Sequence, residues 1–317
     1  MEERSFRQAN KPTFYFIGVT TGQSSIMRVF PEWAKYLHLS DCTLQGVDFR
    51  PHDAPDAYRK AVRFIKQDPL SIGALITTHK IDLLAASRDL FDELDFYAQL
   101  MGEISAISKR GGKLVGRAMD PVSSGLALEA FLPQGYWQRT GAEVFVIGAG
   151  GSATAITSYL LDSGHGRNRP AGITVSNRST PRLLEIERVH REIGEEIPRQ
   201  YVHARRPEDN DAVIRRLPDH SMVINATGLG KDAPGSPITD RAHFPRDGIA
   251  WEFNYRGDLE FLRQARAQSE ERSLTVEDGW TYFIYGWTRV LAEVFHRDIP
   301  GGGKVFEDLS RIAAEVR

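Results

Sequence analysis

The stretch "VIGAGGSATAI" (Val146–Ile156) decides the fold. A strand-like apolar run breaks into glycines, and a helical pattern follows at once. Gly148 and Gly150 hold the first two glycine positions of a dinucleotide-binding turn. Ala153 holds the third, where a small residue is enough for helix–strand packing. The first permits a tight turn, and the second removes a side chain so that a pyrophosphate can approach the backbone. The helix would offer N–H groups from Gly151, Ser152 and Ala153, and its positive dipole end, to phosphates. Alone, the string equally fits a turn with no ligand. The strand before, the helix after and a second strand at the expected distance favour the nucleotide.

That second strand ends in "SNRSTPR". An NAD site would place an acidic residue here for the ribose 2′-hydroxyl. This chain instead offers Asn177, Arg178, Ser179 and Arg182, with no carboxylate before Glu185. Guanidiniums form paired, charge-assisted bonds to phosphate, so the expected cofactor is NADP.

Outward from the turn, strand and helix signals alternate in both directions. Before it come "TFYFIGVT", "CTLQGVDF" and "IGALITT" as strands. The helices between are "MRVFPEWAKYL", with a proline near the first turn, and "APDAYRKAVRFIKQD", with Tyr58, Val62 and Ile65 on one face. "ISAISKRGGKLVGRAMD" reads as a hairpin, and "SSGLALEAFL" as a helix with a serine-rich start. After the turn, the helix "GSATAITSYLLDSG" ends at Gly164 as a C-cap. "GITVSNRS", "QYVHA", "SMVINATG" and "GIAWEFNY" follow as strands, separated by helical runs and a polar loop at 164–172. "DLEFLRQARAQS" and "GWTYFIYGWTRVLAEVF" close the chain as helices. The expected class is α/β with parallel sheets and helices on both faces. An N-terminal α/β substrate domain (1–125, completed by 280–317) would join a Rossmann-like, doubly wound NADP-binding domain (126–279).

Composition narrows the function. The 317 residues suggest two domains. The net charge of −2 is spread without a basic face, which speaks against nucleic acid or an anionic membrane as partner. The single cysteine, Cys42, precludes an internal disulfide framework and reads as a buried structural residue. The N-terminus carries acids and lacks a long apolar core, so the expectation is a cytoplasmic protein with no membrane span. The nine histidines are scattered and suggest no metal site. The expected partner is a small-molecule substrate, and the expected state a monomer or homodimer.

Taken in order, the glycine turn, "NRSTPR", "INATGLG" and "FNYRGDLEFL" make the chain resemble the shikimate dehydrogenase family. That family carries "GAGGxxxA", "NRTxxRA", "INATPxG", "YNPxxTxLL" and a closing "DGxxMLxxQ" helix. The counterparts here are Gly148–Ala155, Asn177–Arg182, Ile224–Gly230, Phe253–Leu262 and Asp278–Gly286. The first half fits more loosely, with "LITTHK" for "VTxPHK" and "GRAMDPVSSG" for "GxNTDxxG". The resemblance spans nearly the whole chain. It implies that Lys80 and Asp120 form the catalytic pair. Lys80 would pass a proton to or from the reacting oxygen while hydride moves at the nicotinamide. It also implies cofactor contacts from Asn225, Thr227, Gly228 and Gly279. His79 reads as structural.

The substrate pocket departs from the family. Ser24 matches the first serine of a Ser-x-Ser pair, but Ile26 replaces the second. Thr78 stands where the proline would be. Ser105 replaces an asparagine, Ala106 a threonine and Ala118 a second asparagine. Gly286 falls where the late glutamine would be, and Tyr282 where the methionine would be. Losing partners for hydroxyls and a carboxylate should ruin affinity for shikimate. Trp280, Tyr282, Tyr285 and Trp287 crowd the closing helix. At least two should be core, while Tyr282 and Tyr285 suit a flatter or more apolar ligand. The expected function is an NADP-dependent alcohol dehydrogenase acting on a cyclic alcohol or ketone other than shikimate. The alternative is a non-catalytic NADP- or metabolite-binding sensor on the same fold. A two-domain enzyme for folate-like or tetrapyrrole-precursor substrates ranks last, since it lacks the ordered "NRSTPR" and "FNYRG" set.

Overall fold

The computed structural model describes residues 8–39, 41–194 and 196–316. The chain divides into two compact units. One runs up to Met119 and resumes at Ile284; the other is Asp120–Phe283.

In the first unit, β1 (Thr13–Gly18), α1 (Ile26–Tyr36), β2 (Thr43–Asp48), α2 (Pro55–Gln67) and β3 (Ser71–Ile76) alternate. They are followed by α3 (Lys80–Ser87), β4 (Glu93–Leu94), α4 (Phe96–Met101), β5 (Ala106–Arg110) and β6 (Lys113–Arg117). The strands order as β2-β1-β3-β5-β6-β4. The expected hairpin is β5–β6, paired antiparallel from Ala106↔Arg117 to Arg110↔Lys113. Because β5 also runs antiparallel to β3, this sheet is mixed and not wholly parallel. Every residue of β1 is buried, so apolar layers cover both faces. Tyr15 and Ile17 pack with Tyr58, Val62 and Ile65 of α2 on one side. On the other, Phe14 and Phe16 meet Trp287 edge-on, at 6.4 and 5.0 Å between ring centroids.

The second unit contains α5 (Asp120–Phe131), α6 (Tyr136–Thr140), β7 (Val144–Ile147), α7 (Gly151–Leu161), β8 (Ile173–Asn177), α8 (Thr180–Ile193), β9 (Arg199–His203) and α9 (Pro207–Ile214). It continues with β10 (Met222–Asn225), β11 (Ile249–Glu252), α10 (Glu260–Arg266), α11 (Ser269–Arg272), β12 (Thr275–Glu277) and α12 (Trp280–Val294). Its strands order as β12-β11-β10-β7-β8-β9, all parallel. The order reverses beside β7, the position where a doubly wound sheet opens a crevice at its carboxyl edge.

Several local expectations need correction. Pro31 lies in the middle of α1, where its ring removes the donor for the Met27 carbonyl. α7 ends at Leu161 with Asp162 as C-cap, and Gly164 falls in a short turn whose N–H is held by the Asp162 carboxylate. By compactness the second unit opens at Asp120. Gly125 lies against Tyr159, where an added Cβ would come within 2.1 Å of the ring, and this close approach fixes α5 on α7. The second division falls inside α12, after Phe283. The sequence reading also passed over β12 and a final helix, α13 (Gly303–Glu315). α13 is locked to α1 by a bond from the Trp33 indole to the Leu309 carbonyl, 2.8 Å.

Candidate functional site

Gly148 leaves β7 with φ +117°, a conformation suited to glycine. A Cβ there would stand 2.8 Å from the Ala226 carbonyl oxygen. Gly150 differs. Its φ is −91°, and a Cβ would meet nothing within 4 Å. So the first glycine is required by the protein itself, and the second opens onto free space. The first helical bond runs from Thr154 N to Gly150 O, which leaves the N–H groups of Gly151, Ser152 and Ala153 without acceptors in the helix. Ala153 is fully buried and packs the helix onto the sheet.

A cavity of 580 Å³ opens at this edge. Among the expected cofactor residues, Gly148, Gly150, Asn177, Arg178, Thr227 and Gly228 line it. Gly151, Ser152, Ala153, Ser179, Arg182, Asn225 and Gly279 are not among its walls. Ser179 is the N-cap of α8, its N–H taken by Asn177 Oδ1 at 3.0 Å, and Arg182 is exposed on that helix. A Cβ on Gly279 would fall 2.0 Å from the Phe253 carbonyl oxygen, so this glycine permits two backbones to touch. The sequence reading missed Arg205 and Arg206, which line the cavity from the end of β9. Two arginines one residue beyond a parallel strand were a usable signal, because ligands sit at the carboxyl ends of such strands.

A buried network carries the turn after β10. Asn225 and Glu252 are fully buried. Asn225 Nδ2 donates to Glu252 Oε2 at 2.7 Å, and the Asn254 backbone and side-chain N–H groups donate to Oε1 at 2.8 and 2.7 Å. Asn225 Oδ1 accepts from Thr227 N and Oγ1, which fixes the cavity wall. Burial pushes the Glu252 carboxyl up to about 7, against the pull of these donors. Glu252 was not expected from sequence.

In the first unit, Lys80 is the first residue of α3 and partly buried. The positive end of a helix dipole does not favour a cation, so helix stability does not account for a lysine there. The turn before it is held by His79, which is buried. Its Nε2 donates to the Gly18 carbonyl at 3.1 Å, and its Nδ1 accepts from Tyr58 Oη at 3.0 Å. Burial lowers the His79 pKa, so the ring is a neutral structural strut. Asp120 opens α5 in the second unit.

Of the expected substrate residues, Ser24 is partly exposed and Thr78 exposed. Ser105 is buried, and its Oγ accepts the Met119 N–H at 2.7 Å. Tyr285 and Tyr282 differ in their surroundings. Tyr285 is buried, donates to the Gly301 carbonyl at 2.7 Å and stacks on Phe306, so it belongs to the core with Trp287. Tyr282 is partly exposed and leans on Phe253, 5.0 Å between ring centroids. Ile26 and Ala118 are both buried, and Gly286 faces empty space where a side chain would begin. Among the described residues no cluster could hold a metal ion, and no helix is long and apolar enough to cross a membrane.

The same fold is found in solved shikimate and quinate dehydrogenases. The shikimate dehydrogenase (NADP(+)) of Streptococcus thermophilus is 25% identical over 185 residues, covering 57% of this chain and 59% of that protein. The chain thus matches somewhat over half the length of this curated relative. The structure of quinate dehydrogenase from Corynebacterium glutamicum, in complex with NAD, superposes with a TM-score of 0.73 at 19% identity, covering 96% of this chain and 99% of that one. The ligand-free 5-ketofructose reductase of Gluconobacter sp. strain CHM43 gives 0.68 at 16% identity, covering 99% and 100%. No family model matches. The chain is shikimate dehydrogenase-like in its motifs and in its fold.

Proposed function

We propose that this chain is an NADP-dependent oxidoreductase that interconverts a cyclic alcohol and its ketone, with a substrate other than shikimate. The observation that carries the cofactor is the cavity at Gly150, an open cradle with arginines and no strand-end carboxylate at the ribose position. Bound there, the dinucleotide would supply or take up hydride at the substrate carbon. Lys80 gives or takes the proton at the substrate oxygen through Nζ. Asp120 is the second member of the pair that the resemblance assigns.

The substrate reading rests on three positions. Ile26 and Ala118 bury apolar groups, and Gly286 has no side chain, where the family would place polar ones. A site that lacks those partners cannot reward hydroxyls and a carboxylate.

Binding of NADPH and NADH, followed by fluorescence, tests the cofactor. NADPH should bind, with no response to shikimate. A screen of cyclic alcohols then tests the reaction. Lys80→Met should cut kcat by about 100-fold or more with NADPH affinity unchanged. If neither nucleotide binds, the oxidoreductase reading falls. If NADPH binds and no alcohol or ketone turns over, the sensor reading takes its place.

A further inference from the structure

We propose that Glu252 is a positioning residue for the nucleotide cavity: its carboxylate sets which way the Asn225 and Asn254 amides face, and through them holds the Thr227–Leu229 wall in place. This deepens the NADP reading above and rests on it.

Glu252 is fully buried at the end of β11 and is not among the residues that line the cavity. The wall is made by Ala226, Thr227, Gly228 and Leu229, on the turn after β10. An ionised carboxylate only accepts hydrogen bonds, so each amide must turn its NH2 group toward it. Asn225 Nδ2 meets Glu252 Oε2 at 2.7 Å, which leaves Asn225 Oδ1 for the wall. That oxygen accepts from Thr227 N at 3.0 Å and from Thr227 Oγ1 at 2.7 Å, and Thr227 Oγ1 in turn accepts from Leu229 N at 3.2 Å. Asn254 Nδ2 meets Glu252 Oε1 at 2.7 Å and also donates to the Thr227 carbonyl at 3.0 Å. Were the Asn225 amide reversed, its NH2 group would face the Thr227 N–H, and that bond to the wall would be lost.

A neutral carboxylic acid removes the constraint. Its O–H is a donor, and the Asn225 oxygen can turn to meet it. Burial holds the Glu252 carboxyl at about 7, so both forms are within reach near neutral pH. Lys231, on the loop after β10, favours the ionised form, and its ammonium also pairs with Asp232 at 3.0 Å. Glu277 of the neighbouring β12 stands opposite Trp251, and its own carboxyl is raised by burial and by Asp278. The wall is set in the ionised state and freer in the neutral one. Nucleotide should therefore bind more tightly as pH rises through this range.

The test measures Kd for NADPH by fluorescence at about pH 6 and about pH 8 in the wild type and Glu252→Gln, with thermal melting as a check on folding. The 2′-phosphate of the ligand also titrates near pH 6, and its effect cancels in the ratio of the two proteins. At the higher pH, Glu252→Gln should bind about tenfold more weakly than the wild type, and at the lower pH within about threefold. A purely structural loss would weaken binding equally at both. Infrared difference spectra of the wild type at the lower pH give a second readout, which decides alone if the variant does not fold. The band of a protonated carboxyl should fall when NADPH is added. An equal ratio at both pH values, or a carboxyl band that NADPH leaves unchanged, overturns this inference and the cofactor reading stands. If the wild type binds neither NADPH nor NADH, both fall.

Discussion

The Asn225 side-chain amide donates to the Glu252 carboxylate at 2.7 Å inside the second unit, with both residues fully buried. Burial raises the Glu252 carboxyl to about 7 from its ordinary 4.5. Between those values the folded protein holds the proton more tightly than the unfolded chain, so this group lowers stability as pH rises. His190 does the opposite. It is buried between Tyr201 Oη and Thr157 Oγ1, and burial lowers it from 6.5 to about 3. The unfolded chain then binds the proton first, so its contribution is full above 6.5 and is lost on acidification. The two slopes are about 1.4 kcal/mol per pH unit each and cancel between pH 4.5 and 6.5. Denaturant unfolding of the wild type and Glu252→Gln across pH 4.5 to 7 checks this. The stability advantage of the wild type should shrink by about 3 kcal/mol as pH rises through that window. A constant difference would mean that the three N–H donors keep the carboxylate ionised.

Gly148 and Gly150 predict opposite outcomes from the same substitution. Gly148→Ala forces a Cβ toward the Ala226 carbonyl at a φ of +117°, and should cost about 2 kcal/mol or more. Gly150→Ala meets nothing and should leave stability within about 0.5 kcal/mol. Its methyl projects into the cradle, so NADPH affinity should fall at least about tenfold. Melting curves and NADPH titration separate the two. If Gly150→Ala binds NADPH normally, the nucleotide does not approach this turn.

The glycine turn was legible because Gly148 answers a backbone demand and Ala153 a packing one, both stated by local sequence. The β5–β6 hairpin and the apolar face of α2 were legible from local pattern in the same way. What escaped was decided by distant chain. Arg205 and Arg206 gain meaning only because β9 lies beside β8, a pairing that no local pattern prints. Glu252 looks like an ordinary strand-end acid until Asn225 and Asn254 are seen to enclose it. Tyr285 was placed toward a ligand because helical spacing cannot tell which neighbour a ring will meet. α13 supplies that neighbour in Phe306, from 21 residues further along the chain.

Tyr285→Phe tests that packing. The hydroxyl donates to the Gly301 carbonyl, and the ring stacks on Phe306 at 4.2 Å. Removing the donor while keeping the ring should cost about 1–2 kcal/mol. NADPH affinity should be untouched. An altered substrate preference with unchanged stability would place the ring in the substrate pocket after all.

Gly286 offers the sharpest view of the substrate side. It sits inside the 15-residue helix α12, where glycine costs about 1 kcal/mol relative to alanine, and nothing lies within 4 Å of the missing Cβ. No close packing requires it. Gly286→Ala should therefore stabilise the protein by about 0.5–1 kcal/mol in denaturant unfolding. Gly286→Gln should also fold, and it restores the side chain that the family resemblance puts here. Shikimate oxidation should nonetheless stay at background in this variant, because Ile26 and Ala118 remain buried and apolar. Turnover of shikimate by Gly286→Gln alone would show that the missing glutamine, and not the apolar wall, sets the substrate. A Gly286→Ala variant that gains stability but loses turnover of a substrate found by screening would show that the substrate occupies this space.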